Sequence, residues 1–152
     1  MKTTDDLTTV LSSAKPSDLE SYIRTHKEKL IEEDRPFTVF IRSKIREKGL
    51  KQQDVFLAAD IPEGYGYKLV SGEKRTASRD VVLRLLMAAG MGLEDVQKAL
   101  RLYGMPVLYP RMERDAALMI AINNGMRDAS DICEFLEKHK LEPLKPLGPR
   151  EL

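Results

Sequence analysis

The chain has 152 residues, of which 42% are hydrophobic, 32% are charged and only 6% are aromatic, with no Trp. This length provides one compact core or two small helical units, and the scarcity of aromatic side chains argues against a large sandwich or barrel. A net charge of +1 does not by itself indicate a nucleic-acid or membrane partner.

The single cysteine, Cys133, excludes an internal disulfide. Residues 1–9 lack the apolar run of a signal peptide. No stretch approaches the roughly 18 uninterrupted apolar residues of a membrane span. We therefore expect a soluble, cytoplasmic protein without a membrane partner.

Residues 1–35 are predicted to form an N-terminal helical arm. Leu7, Val10 and Leu11 recur at one-turn spacing, and residues 17–20 have the form of a capping box that begins a second helix. The apolar face of that second helix comprises Leu19, Tyr22, Ile23, His26 and Leu30. Such a face must pack on the body of the protein or on a partner, and residues 32–36 form the best linker candidate.

Residues 36–104 are predicted to form a helical domain. Five segments show the helical period in their apolar residues: 37–48, 50–59, 65–71, 80–89 and 93–103. No segment alternates apolar and polar residues with a period of two, so the sequence predicts no strand. The expected fold class is therefore all-α.

The last third of the chain repeats a pattern from this domain. Arg79-Asp80 precedes an apolar run that ends in Gly90-Met91, and Arg114-Asp115 precedes one that ends in Gly125-Met126. The offset of about 35 residues is the length of a helical hairpin repeat. We therefore predict a C-terminal helical hairpin over residues 105–143, packed on the domain, and a flexible tail over residues 144–152.

The stretch from Gly49 to Gly72 carries the pattern that suggests a function. It consists of Gly49-Leu50-Lys51-Gln52, a helix through Ala59, the corner Asp60-Ile61-Pro62, and a short helix that ends in Ser71-Gly72. This order resembles the XRE-type family of helix-turn-helix proteins, which includes the Cro and lambda repressors. The resemblance implies a lambda-repressor-like helix-turn-helix bundle, in which residues 65–71 form the recognition helix that enters the major groove.

A narrower resemblance covers residues 36–144. It depends on Tyr65-Gly66-Tyr67, Ser71-Gly72-Glu73-Lys74, Ser78-Arg79-Asp80 and Leu108-Tyr109-Pro110-Arg111. These segments are similar to a Firmicutes group of XRE-like DNA-binding regulators, in which extra C-terminal helices follow the repressor-like unit.

The family resemblance also implies which residues would contact double-stranded DNA. They belong to the first turn of the support helix, the exposed face of the recognition helix and the basic loop after it. These residues are Lys51, Gln52, Gln53, Glu63, Gly64, Tyr67, Lys68, Lys74, Arg75 and Thr76. The Lys and Arg side chains among them are suited to phosphates, and residues 36–90 hold ten Lys or Arg against six Asp or Glu.

Direct readout of bases is expected to be weak. The recognition helix offers no Arg, Asn or Gln for bidentate contacts, and Gly64 and Gly66 each cost a helix about 1 kcal/mol relative to Ala. Phe56 and Asp60 stand where the family usually has Ala and Gly, although Asp tolerates a left-handed backbone. Affinity for DNA is therefore expected to depend on phosphates, indirect readout or a dimer.

No group of residues indicates an enzyme. His26 and His139 lack Cys, Asp or Glu at ligand spacing, and Cys133 is expected to be a buried thiol. Residues 64–66 lack the third Gly and the preceding strand of a dinucleotide site. We therefore expect no catalytic residue, no metal and no cofactor.

Two hypotheses of different classes follow. The first is a DNA-binding transcriptional regulator, with the arm and the hairpin as candidates for a homodimer interface. The alternative is a protein–protein adaptor, in which the arm or the hairpin binds another polypeptide and the helix-turn-helix no longer reads DNA. One continuous positive face would favour DNA if it joined Lys44, Lys51, Lys68, Lys74 and Arg75. Acids that interrupt this face, Glu63 and Glu73, would favour the adaptor.

Overall fold

The computed structural model describes residues 4–26 and 35–148, and their regular structure is entirely helical. This content confirms the predicted all-α class. The chain divides into two compact units, Met1–Glu33 and Asp34–Leu152, so the division falls close to the predicted end of the arm. None of the helices in the described part of the chain is long and apolar enough to cross a bilayer.

The first unit contains α1 (Thr4–Ser12), a 3-10 turn (Pro16–Asp18) and α2 (Leu19–Thr25). The predicted capping box at residues 17–20 is wrong, because the Asp18 carboxylate accepts a hydrogen bond from the Lys15 N–H (2.8 Å) and closes the turn before α2 begins. The expected apolar residue Leu30 and linker residues 32–34 lie outside the described residues.

The second unit has seven helices in its described residues. They are α3 (Pro36–Glu47), α4 (Gln52–Ala59), α5 (Glu63–Ser71), α6 (Arg79–Ala88), α7 (Leu93–Tyr103), α8 (Glu113–Asn123) and α9 (Ala129–Lys138). Helix α8 packs on α7, and α9 packs on both α8 and α6. The helices α8 and α9 lie within the segment predicted as a hairpin, and they share one core with the helices before them.

Helix α6 occupies the centre of this unit. All residues from Asp80 to Ala88 are buried, and α4, α7 and α9 pack around the helix. The helix begins at Ser78, whose hydroxyl accepts a hydrogen bond from the Val81 N–H (3.3 Å) and so satisfies a donor that has no intrahelical partner. A helix that is apolar on nearly every side must be surrounded by other elements, so the remaining helices are arranged around α6.

Arginines stabilise the ends of three helices. Each donates to the carbonyl of a last helical residue: Arg84 to Ala59 of α4 (3.3 Å), Arg75 to Tyr103 of α7 (2.7 Å), and Arg127 to Ala88 of α6 (2.8 Å). The last carbonyls of a helix lack intrahelical donors and lie at the negative end of its dipole. A guanidinium there supplies the missing hydrogen bonds and the opposite charge. Two of the cations in residues 36–90, Arg75 and Arg84, therefore serve the fold.

The repeated Arg-Asp sequence forms two reciprocal ion pairs between α6 and α8. Arg79 binds Asp115 with both terminal nitrogens (3.2 and 2.6 Å), and Arg114 binds Asp80 in the same way (3.1 and 2.9 Å). Both aspartates are buried. The 35-residue repeat thus joins the first turns of two helices.

The predicted flexible tail is wrong at its first residues. Leu144 is 1% exposed, its carbonyl accepts a hydrogen bond from Arg84 (2.7 Å), and the Lys145 N–H donates to Asp80 (2.9 Å). The charged groups of α6 require partners because they are buried, and the tail backbone supplies them. Residues 149–152 of the predicted tail lie outside the described residues.

Candidate nucleic-acid interface

A tight corner joins α4 to α5. Asp60 has φ 55° and ψ 47°, which is the left-handed conformation that Asp tolerates better than most residues. The Ile61 N–H then donates to the Phe56 carbonyl (3.0 Å), and the Ile61 side chain is buried. The corner therefore fixes the direction in which α5 leaves α4.

Phe56 and Gly66 form a complementary pair between these helices. A Cβ atom on Gly66 would lie 2.5 Å from the Phe56 ring, which is itself buried. Position 66 of α5 lacks a side chain and so makes room for the large Phe56 ring of α4. The two helices therefore pack closely, as they would with a small residue at position 56. Gly64, in contrast, has no atom within 4 Å of such a position, and nothing in the structure explains why it is Gly.

Helix α5 presents one face to the core and another to solvent. Tyr65, Leu69 and Val70 are buried, whereas Tyr67 is 44% exposed, as expected for a residue on the exposed face of this helix. The exposed face of α5 consists of Glu63, Gly64, Tyr67 and Lys68. These residues repeat at one-turn spacing, so they form a continuous surface.

Hydrogen bonds organise the first half of this face. Glu63 accepts from the Gln53 amide (3.5 Å), which brings the first turn of α4 beside α5. Partial burial raises the pKa of Tyr67, as do the negative charge of Glu63 and its hydrogen bond. The Tyr67 ring packs edge-on against the Phe56 ring, with 4.9 Å between the ring centroids.

Lysines surround this face. Lys51 immediately precedes α4, Lys68 lies in the last turn of α5, and Lys74 lies in the following loop, and all three are exposed. The Lys74 N–H donates to the Lys68 carbonyl (3.1 Å), so the loop folds back on the end of α5. Gln52 is half-buried and stands beside Lys51 at the start of α4.

Two residues of the predicted basic loop, Arg75 and Thr76, contact Tyr103, and only Arg75 is exposed. Thr76 is buried, its N–H donates to the Tyr103 hydroxyl (2.8 Å) and its own hydroxyl accepts from the Ser78 N–H (3.0 Å), so its placement among phosphate contacts is wrong. The Arg75 guanidinium, besides capping α7, stacks on the Tyr103 ring at 4.3 Å. Tyr103 thus holds the loop from 27 residues away in sequence, which local patterns cannot reveal.

Lys44 does not extend the positive surface. Its ammonium pairs with Asp95 (3.3 Å) and Glu47 (3.4 Å), and the hydrogen bond with Asp95 raises the pKa of Lys44 most strongly. Lys51, Lys68 and Lys74 are exposed lysines at the start of α4, in α5 and in the loop after it, and Glu63 is an exposed acid of α5.

Leu57 is a surface residue that the sequence analysis missed. It is 80% exposed and lies one turn after Gln53 on α4. Val55, Phe56 and Ala59 are buried, so a helical projection of residues 52–59 would have placed Leu57 outside.

The described residues hold no cluster of three or more His, Cys, Asp and Glu side chains that could bind a metal ion. Cys133, expected to be buried, is half-exposed. The chain matches no protein-family model, no curated protein and no solved structure. Its function must therefore be inferred from the geometry of α4, α5 and the loop after them.

Proposed function

We propose that this protein is a DNA-binding transcriptional regulator in which α4 and α5 form a helix-turn-helix within a lambda-repressor-like bundle. The observation that carries the proposal is the solvent-facing side of α5, which a left-handed corner at Asp60 fixes against α4 and which exposed lysines flank. In such a unit the second helix lies in the major groove, and the first helix crosses the backbone.

The distribution of charge favours contacts with phosphates. Lys51, Lys68 and Lys74 lie at the ends of helices and in a loop, where ammonium groups neutralise the DNA backbone. Tyr67 and Gln53 could form hydrogen bonds with bases, but both side chains already form hydrogen bonds with Glu63. The negative charge of Glu63 also repels nearby phosphates. Sequence preference therefore comes mainly from DNA shape and from the pairing of two half-sites by a dimer.

The proposal is tested by fluorescence anisotropy with a labelled duplex over a series of salt concentrations. Substitution of Lys51, Lys68 or Lys74 by Gln is expected to weaken binding and to lower the salt slope by about one for each lost phosphate contact. Lys138→Gln, an exposed change at the end of α9, is the matched control and should leave the slope unchanged. Unaltered slopes in all three test variants would reject the proposed contact surface.

The second candidate is a protein–protein adaptor, and exposed apolar residues in the N-terminal unit favour it. Leu11, Leu19 and Ile23 are 48%, 59% and 46% exposed, which suits docking against another polypeptide. The two candidates differ in a direct way. A regulator binds duplex DNA at low salt through α5, whereas an adaptor does not bind it at all.

A further inference from the structure

The segment that follows α9 is held like a bound peptide. Arg114 donates to the carbonyls of Glu142 (2.9 Å) and Pro143 (3.0 Å), and Arg84 donates to those of Leu144 (2.7 Å) and Lys145 (2.9 Å). Four consecutive carbonyls of an extended segment are therefore bound by two arginines. We call residues 141–148 the tail, and Asp80, Arg84, Arg114 and Cys133 the tail groove.

The remaining contacts complete this recognition. The Lys145 N–H donates to Asp80 (2.9 Å), the Cys133 thiol donates to the Leu144 carbonyl (3.8 Å), and the Leu144 side chain is fully buried. Main-chain hydrogen bonds with one apolar anchor are the usual elements of peptide recognition by a groove. None of these contacts requires that the tail and the groove belong to the same copy of the chain.

The groove needs an occupant because Arg84 is buried. In the part of the chain that the structure describes, Arg84 forms no ion pair with a carboxylate, and its oxygen acceptors are the carbonyls of Ala59, Leu144 and Lys145. Removal of the tail would leave the Arg84 guanidinium with one carbonyl acceptor from the protein. An identical tail from a second copy would restore the two lost hydrogen bonds.

The hinge between α9 and the tail is strained. Lys140 has φ +61°, a left-handed conformation, and the other described residues with positive φ are five glycines and Asp60. A residue with a long side chain is unfavourable in this conformation, which hydrogen bonds to Glu137 and Leu136 maintain (Lys140 N–H, 3.0 Å; Leu141 N–H, 2.9 Å). An extended Lys140 would release the strain and direct the tail away from its own groove.

We propose that the tail of one copy fills the tail groove of a second copy, so that the protein forms a tail-swapped homodimer. The second copy is the occupant because each copy carries the one segment whose fit to the groove the structure shows. Strained short hinges favour such an exchange, and every tail–groove contact is kept. This proposal goes beyond DNA binding and does not depend on it.

The proposal is tested on the full-length chain by analytical ultracentrifugation and disulfide trapping. Lys145→Cys introduces a second thiol at the tail position that follows Leu144, whose carbonyl lies 3.8 Å from the Cys133 sulfur. After mild oxidation, monomer fractions should contain a disulfide between Cys133 and the introduced thiol of the same chain, and dimer fractions should contain this disulfide between two chains. Cys133→Ser in the same variant is the control, because it can link only one tail to another.

A hinge variant provides a second measurement that does not depend on thiol reactivity. Lys140→Gly removes the strain from the closed form, so the dissociation constant of the dimer should rise about tenfold or more, because two hinges contribute. Leu144→Asp, which removes the apolar anchor, should abolish the dimer. A protein that is monomeric at every concentration, a dimer linked only within chains, or a dissociation constant unchanged by Lys140→Gly would overturn the proposal.

Discussion

Gly66 shows how one residue can depend on a residue in another helix. A methyl group at this position would lie 2.5 Å from the buried Phe56 ring, and a ring held on several sides cannot withdraw. Gly66→Ala is therefore expected to lower the free energy of unfolding by about 1–3 kcal/mol, the usual effect of overpacking. Urea denaturation followed by circular dichroism measures this change.

Gly64 provides the matched control in the same helix. No atom lies within 4 Å of a Cβ built there, so Gly64→Ala should raise the free energy of unfolding by up to about 1 kcal/mol through helix propensity alone. Equal effects of the two substitutions would show that Phe56 does not determine the residue at position 66.

Asp80 gives the fold a defined response to acid. Burial on its own would raise the pKa of this carboxyl, but hydrogen bonds from Arg114 and the Lys145 N–H, together with the charges of Arg114 and Arg79, hold the pKa below its ordinary value of 3.8. A carboxyl with a depressed pKa stabilises the fold above its unfolded pKa, and this contribution is lost as the pH falls through the folded pKa.

The corresponding test compares the free energies of unfolding of the unaltered protein and of Asp80→Asn between pH 7 and pH 2. The protein should be more stable than the variant at neutral pH. The difference should be constant above about pH 5 and should shrink below the unfolded pKa near 3.8. A difference that grows in acid would contradict the assigned direction.

At the scale of elements, the reciprocal Arg-Asp pairs hold the first turns of α6 and α8 together. The Asp115 side chain is 2% exposed, and it also accepts from the Tyr109 N–H (2.9 Å). Asp115→Ala alone should cost about 3 kcal/mol or more, because it leaves Arg79 partly buried without its partner. A double-mutant cycle with Arg79→Ala should give a coupling energy of about 1–3 kcal/mol.

The pair of Lys44 and Glu47 is the control for that cycle. Their side chains are neighbours on α3, and the Glu47 carboxylate is largely exposed. Solvent screening and side-chain entropy reduce such pairs to a coupling of about 0.2–1 kcal/mol. A coupling between Arg79 and Asp115 as small as this value would show that the α6–α8 pairs do not contribute to packing of the two helices.

The helices of residues 36–103 could be predicted from sequence because local chemistry determines them. Apolar periodicity and the glycines that follow helices placed α4 to α7 within two residues of their bounds. Asp60 was also placed correctly, since a left-handed corner depends mainly on its own backbone. The exposed side of α5 followed from the same periodicity.

Contacts between distant segments could not be predicted in this way. Thr76 and Arg75 belong to a basic loop in sequence, but Tyr103 holds both. The Pro-containing segment after Glu142 has the composition of a flexible tail. The buried Arg84 nevertheless donates hydrogen bonds to two carbonyls of this segment, those of Leu144 and Lys145. The sequence gives the number of charged residues in a segment. Only the fold determines which of these charges bind other groups of the protein.

At the scale of the whole molecule, many of the basic side chains are used within the fold. Arg75, Arg84 and Arg127 cap helices, and Arg79 and Arg114 pair with buried aspartates. The net charge of +1 therefore does not show how the cations are distributed. Arginines bind groups within the fold, whereas lysines beside α5 are exposed. If the proposed function is correct, phosphate binding at that surface is strongly salt-dependent.

The central claim is tested most directly by selection from a randomised duplex pool with the purified full-length protein, at low and at near-physiological salt. The proposed regulator should retain a subset of duplexes that share one element, and Lys68→Gln should weaken retention of that element. Retention at low salt that disappears uniformly at higher salt would limit the protein to non-specific phosphate binding. No retention at either salt would contradict the account and would favour the adaptor.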